Sequence, residues 1–340
     1  MKILFIGGTG TISMAITRLL AERGHELYLL NRGNRNAALP EGVKTIIADI
    51  SNEEETAAKL EGMSFDCVGE FIGFVPEQLE RDYRLFAGKT KQFIYISSAS
   101  AYQKPPVGYV ITEETPLENP YWEYSRNKKA CEEYLMRLYR EEGFPVTIVR
   151  PSHTYDERSV PLGVHGNGGS WQVVKRIKEG KPVIIHGDGS SLWTITHNSD
   201  FAKAYAGLIG NPKAIGETFH ITTDESVSWN EIYGYIAEAL GAELKACHIA
   251  SETLAAMGSR YDFTGSLIGD KANSVIFDNS KIKRAVPGFT ATVRADQGIR
   301  ATIEHILAHK ELQREDKDFD DWCDRIINEY TKLKERLKNE

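Results

Sequence analysis

Lys2-Ile3-Leu4-Phe5-Ile6-Gly7-Gly8-Thr9-Gly10-Thr11-Ile12-Ser13 sets the reading of the whole chain. The apolar run Lys2 to Ile6 is a buried strand, and beyond the glycines Ile12, Ile16, Leu19 and Leu20 recur at helical spacing. A strand, a glycine turn and a helix in that order let backbone N–H groups at a helix N-terminus approach a pyrophosphate. Glycine removes the Cβ that would block the approach, and the helix dipole favours negative charge. Gly7, Thr9, Gly10, Thr11 and Ile12 are therefore candidate cofactor-binding residues, and the ligand is a nucleotide. Ser13 stands where the dinucleotide fingerprint carries its third glycine, so the motif alone is weak and a ligand-free tight turn competes with it. Its position, straight after a strand and opening a helix, favours the ligand. Gly166-Asn167-Gly168-Gly169 has no apolar strand before it and reads as a flexible loop.

A chain of 340 residues with 41% hydrophobic content has room for one large α/β domain or two interleaved ones. The net charge of −7 argues against a general nucleic-acid binder or a membrane-surface protein. Cys67, Cys131, Cys247 and Cys323 are scattered without Cys-x-x-Cys spacing, which predicts a reducing, cytoplasmic home. The apolar run before Gly7 is too short for a signal peptide or a membrane anchor. The histidines show no metal-ligand spacing, so no metal site is expected.

A second strand, 26–30, runs into Asn31-Arg32-Gly33-Asn34-Arg35. An acid about 20 positions past the glycines would bind the ribose 2′-OH of NAD, whereas arginine there accepts the 2′-phosphate of NADP. With Asn31 at that place and Arg32 and Arg35 beside it, NADP is favoured slightly over NAD; two solvated loop arginines are the alternative. The third strand, 43–48, ends at Asp49-Ile50, suited to adenine contact or to an ordinary helix cap. A fourth strand, 65–72, brings Phe71 to the same end, and Pro76 opens a helix to about residue 86.

The fifth strand, 92–96, leads into Ser97-Ser98-Ala99-Ser100-Ala101-Tyr102, and Trp122-Glu123-Tyr124-Ser125-Arg126-Asn127-Lys128 starts a long helix. Tyr124 and Lys128 are four apart and so share a helix face. An adjacent ammonium favours the phenolate, and lowering a phenol by roughly three units takes about 4 kcal/mol of differential interaction. With 15 tyrosines, one Tyr-x-x-x-Lys is expected by chance, and Tyr330 with Lys334 is a second. Only the Tyr124 pair has a serine-bearing strand end upstream and a buried strand, 146–149, just beyond, which runs into Arg150-Pro151-Ser152-His153-Thr154-Tyr155.

In combination these stretches resemble the extended short-chain dehydrogenase/reductase family, the NAD-dependent epimerase/dehydratase group. Ile184-Ile185-His186-Gly187-Asp188-Gly189 and Thr196-His197-Asn198-Ser199-Asp200-Phe201-Ala202 resemble two further family segments, so the likeness covers residues 1 to about 290. It implies a Rossmann-type, doubly wound parallel α/β sheet with an interleaved smaller α/β substrate lobe. Residues 1–152 plus about 194–222 would bind NAD(P); about 153–193 plus 223–340 would form the lobe. By the same likeness Tyr124 is the acid/base, Lys128 binds the nicotinamide ribose and Ser98 bonds the substrate oxygen. Ser97, Pro151 and His153 would lie along the cofactor, while Ser100 and His153 would face the substrate; the aromatic Tyr155 and Trp193 either line an apolar or sugar-stacking part of the substrate pocket or pack in the core. The reaction is then hydride exchange at a secondary alcohol or carbonyl of a small molecule, a sugar or nucleotide sugar, in a homodimer formed through the helices near 76–86 and 122–142.

Departures narrow this. Trp193 stands where nucleotide-sugar members carry a phosphate-clamping arginine, and Leu267-Ile268 precede Gly269-Asp270 where a second arginine belongs, which puts a nucleotide diphosphate in doubt. Ala99-Ser100 replace the Asp-Glu of family dehydratases, which disfavours dehydration. Two other readings compete: an NADP-binding regulator without turnover, and an RNA-associated protein, since the Asn-Arg-Gly and Ser-Ser-Ala-Ser-Ala-Tyr stretches also resemble the chloroplast stem-loop-binding and isoflavone-reductase-like branch. The tyrosine–lysine pair weighs against the first, the acidic balance against the second.

Overall fold

A computed structural model describes residues 1–34, 39–257 and 260–339. Its sheet strands are β1 (Lys2–Ile6), β2 (Glu26–Asn31), β3 (Lys44–Ile47), β4 (Cys67–Glu70), β5 (Phe93–Ile96), β6 (Val146–Pro151) and β7 (Thr218–Ile221). They form one parallel sheet in the order β7-β6-β5-β4-β1-β2-β3. After β3 the chain crosses back over β1 to lay down β4, so the strand order reverses between β1 and β4. A crevice opens above the carboxyl ends of those two strands, where ligands bind in open α/β sheets.

Continuous apolar runs form these strands because both faces are covered. On one face α1 (Thr11–Glu22) and α6 (Asn198–Leu208) pack Ile16, Leu20, Phe201 and Tyr205 against Ile3, Phe5 and Leu29. On the other, α3 (Pro76–Phe86) and α4 (Glu123–Glu142) pack Leu79, Phe86, Cys131 and Leu135 against Leu4, Val68 and Tyr95. A third apolar cluster joins α5 (Trp171–Lys178) and α7 (Trp229–Leu240) to the helices Ala295–Ala308 and Lys317–Lys338. Ser228 starts α7: its hydroxyl accepts the Glu231 N–H at 3.2 Å while Glu231 accepts the Ser228 N–H at 2.7 Å, a reciprocal cap.

Two local expectations change. Strand β4 stops at Glu70 rather than residue 72, because the Ile72 N–H bonds back to the Glu70 carboxylate and turns Phe71 and Ile72 into the crevice. The loop 166–169, read as flexible, is packed: the Gly168 N–H donates to Asp316 Oδ2 at 3.1 Å, and a Cβ on Gly166 would lie 2.3 Å from the same oxygen. Its glycines serve close approach to the last helix. Cys67, Cys131 and Cys323 are buried free thiols. Among the described residues no helix is long and apolar enough to cross a membrane.

Candidate active site

A cleft of ≈ 720 Å³ occupies the crevice. Gly7, Thr9, Gly10, Thr11, Ile12, Asn31, Arg32, Asp49, Ile50 and Phe71, all expected at the cofactor, line it; Arg35 lies outside the described residues. Gly7 and Gly8 sit at φ +101° and +92°, and a Cβ on Gly8 would come within 2.5 Å of Leu29 Cδ2, so only glycine fits this turn. Ser13, in place of the third glycine, accepts the Gly10 N–H at 2.9 Å. Thr17 donates to the Gly8 carbonyl at 3.0 Å and Asn198 to the Thr11 carbonyl at 3.0 Å, holding the loop from both helices. The loop is thus a preformed turn, kept tight against β2 by its glycines and open toward the cleft, and it fits a dinucleotide. At the far end Asn31 Oδ1 accepts the Gly33 N–H at 2.7 Å, while its buried Nδ2 has no partner among the described residues. Arg81, from α3, also lines the cleft, gripping Asp82 Oδ1 through Nε and Nη2 at 2.9 and 2.7 Å. No motif marks it in the sequence.

A second cavity, of ≈ 300 Å³, adjoins the first. Ser98, Ser100, Tyr124, Pro151, His153 and Trp193 line it, together with Trp122, Lys104, Asp270 and Lys271, which sequence reasoning did not single out as site residues. The two spaces come close at the end of β5, where Ile96 faces the cleft and Ser98 the cavity, and on either side of the Phe74 and Tyr124 rings, 6.5 Å apart. Pro151 and His153 therefore sit on the cavity side. Tyr155, expected at the substrate, lines neither space: its ring packs edge-on to His197 and its hydroxyl sits where a Cβ on Gly298 would fall, so it belongs to the third core.

Ser98 ends a chain of hydroxyls. Asn119 Nδ2 lies 3.2 Å from the Ser125 hydroxyl, Ser125 gives to Ser100 at 2.9 Å, and Ser100 meets Ser98 at 2.9 Å. Asn119 Nδ2 is itself anchored on the carbonyls of Ser100 and Gly269, at 2.7 and 2.6 Å. The Ser100 N–H also points at Ser98 Oγ, at 3.2 Å. Ser98 Oγ thus takes the Ser100 N–H and shares a hydrogen bond with the Ser100 hydroxyl, which holds it at the cavity wall.

Electrostatics at the tyrosine run against the simplest sequence expectation. Burial pushes the Tyr124 phenol above its ordinary value, and the neighbouring Ser98 hydroxyl only partly opposes this. Lys128 does not pull it down, because the ammonium is 5.8 Å from the Tyr124 ring centre and donates to the carbonyls of Gly73 and Ile96, at 2.7 and 2.8 Å. It lies 2% exposed between the two spaces, and burial brings its own pKa down to about 8. His153 is pushed down to about 3 by burial and is neutral at physiological pH.

Ser97 is placed away from the cofactor: its hydroxyl binds Glu132 of α4, which also takes three bonds from the Arg150 guanidinium, at 2.6, 2.9 and 3.2 Å. This buried cluster ties the end of β5 to α4 and β6, and so fixes Ser98 against Tyr124. Among the described residues no group of three His, Cys, Asp or Glu side chains could hold a metal.

Residues 3–222 match the NAD dependent epimerase/dehydratase family. The chain belongs to that family. Among curated proteins it is 24% identical over 289 residues to the 2'-dehydrokanamycin reductase of Streptomyces kanamyceticus, covering 85% of this chain and 80% of that one. It is 28% identical over 253 residues to the chloroplast stem-loop binding protein of 41 kDa b of Arabidopsis thaliana, spanning 71% of this chain and 63% of the relative. In fold it is similar to the UDP-glucuronic acid 4-epimerase of Bacillus cereus, solved with UDP-glucuronic acid and NAD, with a TM-score of 0.73 and 19% identity over 91% of this chain and 99% of that one.

Proposed function

We propose that the protein is an NAD(P)-dependent oxidoreductase or epimerase acting at a secondary alcohol or carbonyl of a sugar-like substrate. The observation that carries this reading is the closeness of the two spaces: a dinucleotide-sized cleft lies beside a cavity lined by Tyr124 and Ser98, with Lys128 buried against the Phe74 and Tyr124 rings between them. The nicotinamide cofactor, when bound, supplies or takes up the hydride. Tyr124 passes the proton at the substrate oxygen, and the Ser98 hydroxyl donates to the same oxygen as charge develops there. Lys128 provides positive charge under both. Arg32, next to the uncharged Asn31 in the cleft wall, supports NADP over NAD, and Arg81 lines the same cleft while held by Asp82. The third apolar cluster supports a substrate lobe built from the later segments, and the homodimer through α3 and α4 belongs to the same proposal. The one carboxylate among the cavity's lining residues, Asp270, is 3.3 Å from Lys271, which supports redox or epimerisation over dehydration.

The test is fluorescence titration with NADPH and NADH, followed by turnover on a panel of keto and hydroxy sugars. Ser98→Ala should lower kcat by ~10²-fold, the scale for losing one donor to a developing oxyanion, with cofactor affinity unchanged. A chain that binds neither nucleotide removes the reading.

A pH profile tests Lys128. Its pKa is depressed, so the folded protein loses this charge as pH rises through about 8, well below the ordinary lysine value. Reduction at saturating cofactor should therefore fall as pH rises through that value, and Lys128→Met should be slow with a flat profile. A wild-type rate unchanged across the window would count against the role.

A further inference from the structure

The cavity holds a cation with no anion. Lys104 is 5% exposed, and among the described residues its ammonium makes a single hydrogen bond, to the Asp270 carbonyl at 3.5 Å, the outer limit of such a bond. The ammonium also lies 5.7 Å from the Trp193 ring centre. Among the described residues no carboxylate lies at ion-pair distance from it; Asp270, 3.3 Å from Lys271, attracts it only at longer range, and burial lowers the Lys104 pKa against that attraction. The charged groups lining the cavity are thus Lys104, Lys271 and Asp270, one positive charge in excess. The remaining titratable groups there do not cancel it. His153 is neutral, Tyr102 is raised by burial and bonded to His220 at 3.1 Å, and Tyr124 is raised as well.

Trp193 and His153 line the cavity as well, with Trp193 Nε1 and His153 Nδ1 fully buried and without a hydrogen-bond partner among the described residues. Trp193 can only donate. A buried charge left without a counter-charge is costly, so a cavity that keeps one in its wall is built for an acceptor-rich ligand. Trp122, Trp193 and Phe277 give the same cavity aromatic walls. At ≈ 300 Å³ it lies at the small end of ligand sites, and no arginine lines it to clamp a diphosphate.

We propose that this cavity takes a compact, sugar-sized substrate bearing an acidic group, a carboxylate or a phosphate monoester, which Lys104 pairs directly. The proposal rests on the reading of the cavity as the substrate site and makes Lys104 its specificity residue.

Calorimetric titration of the full chain with saturating NADP tests this without turnover. The probes are D-glucuronate, its uncharged methyl ester, D-glucose 6-phosphate, D-glucose and UDP-glucose. D-glucuronate should bind at least about tenfold more tightly than its ester, or glucose 6-phosphate than glucose, one ion pair in a desolvated site being of that order or larger; the arm that responds tells carboxylate from phosphate. Lys104→Met should abolish the preference while binding NADP like wild type. Should that variant fail to fold, the acid–ester pair in the wild type still decides. Equal binding of charged and neutral probes, no binding of either anion, tighter binding of UDP-glucose, or a preference that survives in Lys104→Met would overturn the proposal. Anion binding with no turnover would instead overturn the enzyme reading and leave this one standing.

Discussion

Tyr124→Phe should reduce turnover by ~10²–10⁴-fold, the usual contribution of a positioned proton donor, while NADPH or NADH affinity stays within about twofold. The substitution removes one oxygen and keeps the ring, which packs on Trp122 at 5.1 Å and faces Phe74 at 6.5 Å. Packing is thereby conserved, and a large loss of rate isolates the hydroxyl. The phenol's raised pKa gives the experiment a direction. At neutral pH the group carries its proton, so it stands ready as the acid of a reduction, whereas oxidation must first deprotonate it and should quicken as pH rises toward the phenol's range. Steady-state rates in both directions with wild type and variant, beside a fluorescence titration, check the claim. Equal rates in the two proteins would remove Tyr124 from the chemistry, and loss of cofactor affinity in the variant would make its role structural.

Legibility followed sequence proximity. Gly7 to Ser13 could be read because strand, turn and helix are contiguous, and the positive φ of Gly7 and Gly8 follows from that one stretch. Ser98 and Tyr124 could be singled out because each ends or opens an element whose period is visible, and parallel sheets bring such ends to one edge. What stayed hidden was assembled from distant segments. Lys104 comes from a proline-rich loop and Trp122 from just before α4, whereas Asp270 and Lys271 end a π-helical segment, Thr264–Lys271, far along the chain. Nothing local marks any of them. Arg81 hides on the buried side of a helix whose charged face looks ordinary in sequence. Tyr155 was misplaced for the opposite reason: it follows a motif closely, yet its short strand pairs with Ile195–His197 and carries the ring into the third core. Spacing along α4 put Lys128 on Tyr124's face, but its length let the ammonium reach two backbone carbonyls instead of the phenol.

Arg150→Leu should destabilise the fold by about 3–5 kcal/mol, the range for breaking a buried ion pair from one side. Glu132 would then keep a carboxylate in a site where its side chain is 4% exposed, with only the Ser97 hydroxyl left as a partner. The guanidinium also bonds the Glu113 carbonyl at 3.3 Å and stacks 4.8 Å from the Tyr102 ring centre, so leucine cannot replace its contacts. Urea unfolding midpoints at constant m-value would measure the loss. Replacing both partners, Arg150→Leu with Glu132→Leu, should recover more than half of it, because removing both charges also removes the desolvation cost. Activity should not recover in parallel. Ser97 would then lose its partner, and Ser97 is the residue that seats Ser98 at the end of β5, so a stable double variant should still turn over more slowly than wild type. A single variant that loses less than about 1 kcal/mol, the scale of an exposed pair, would mean that the cluster is hydrated and fixes nothing. A double variant as active as wild type would mean that Ser98 and Tyr124 are aligned by other contacts.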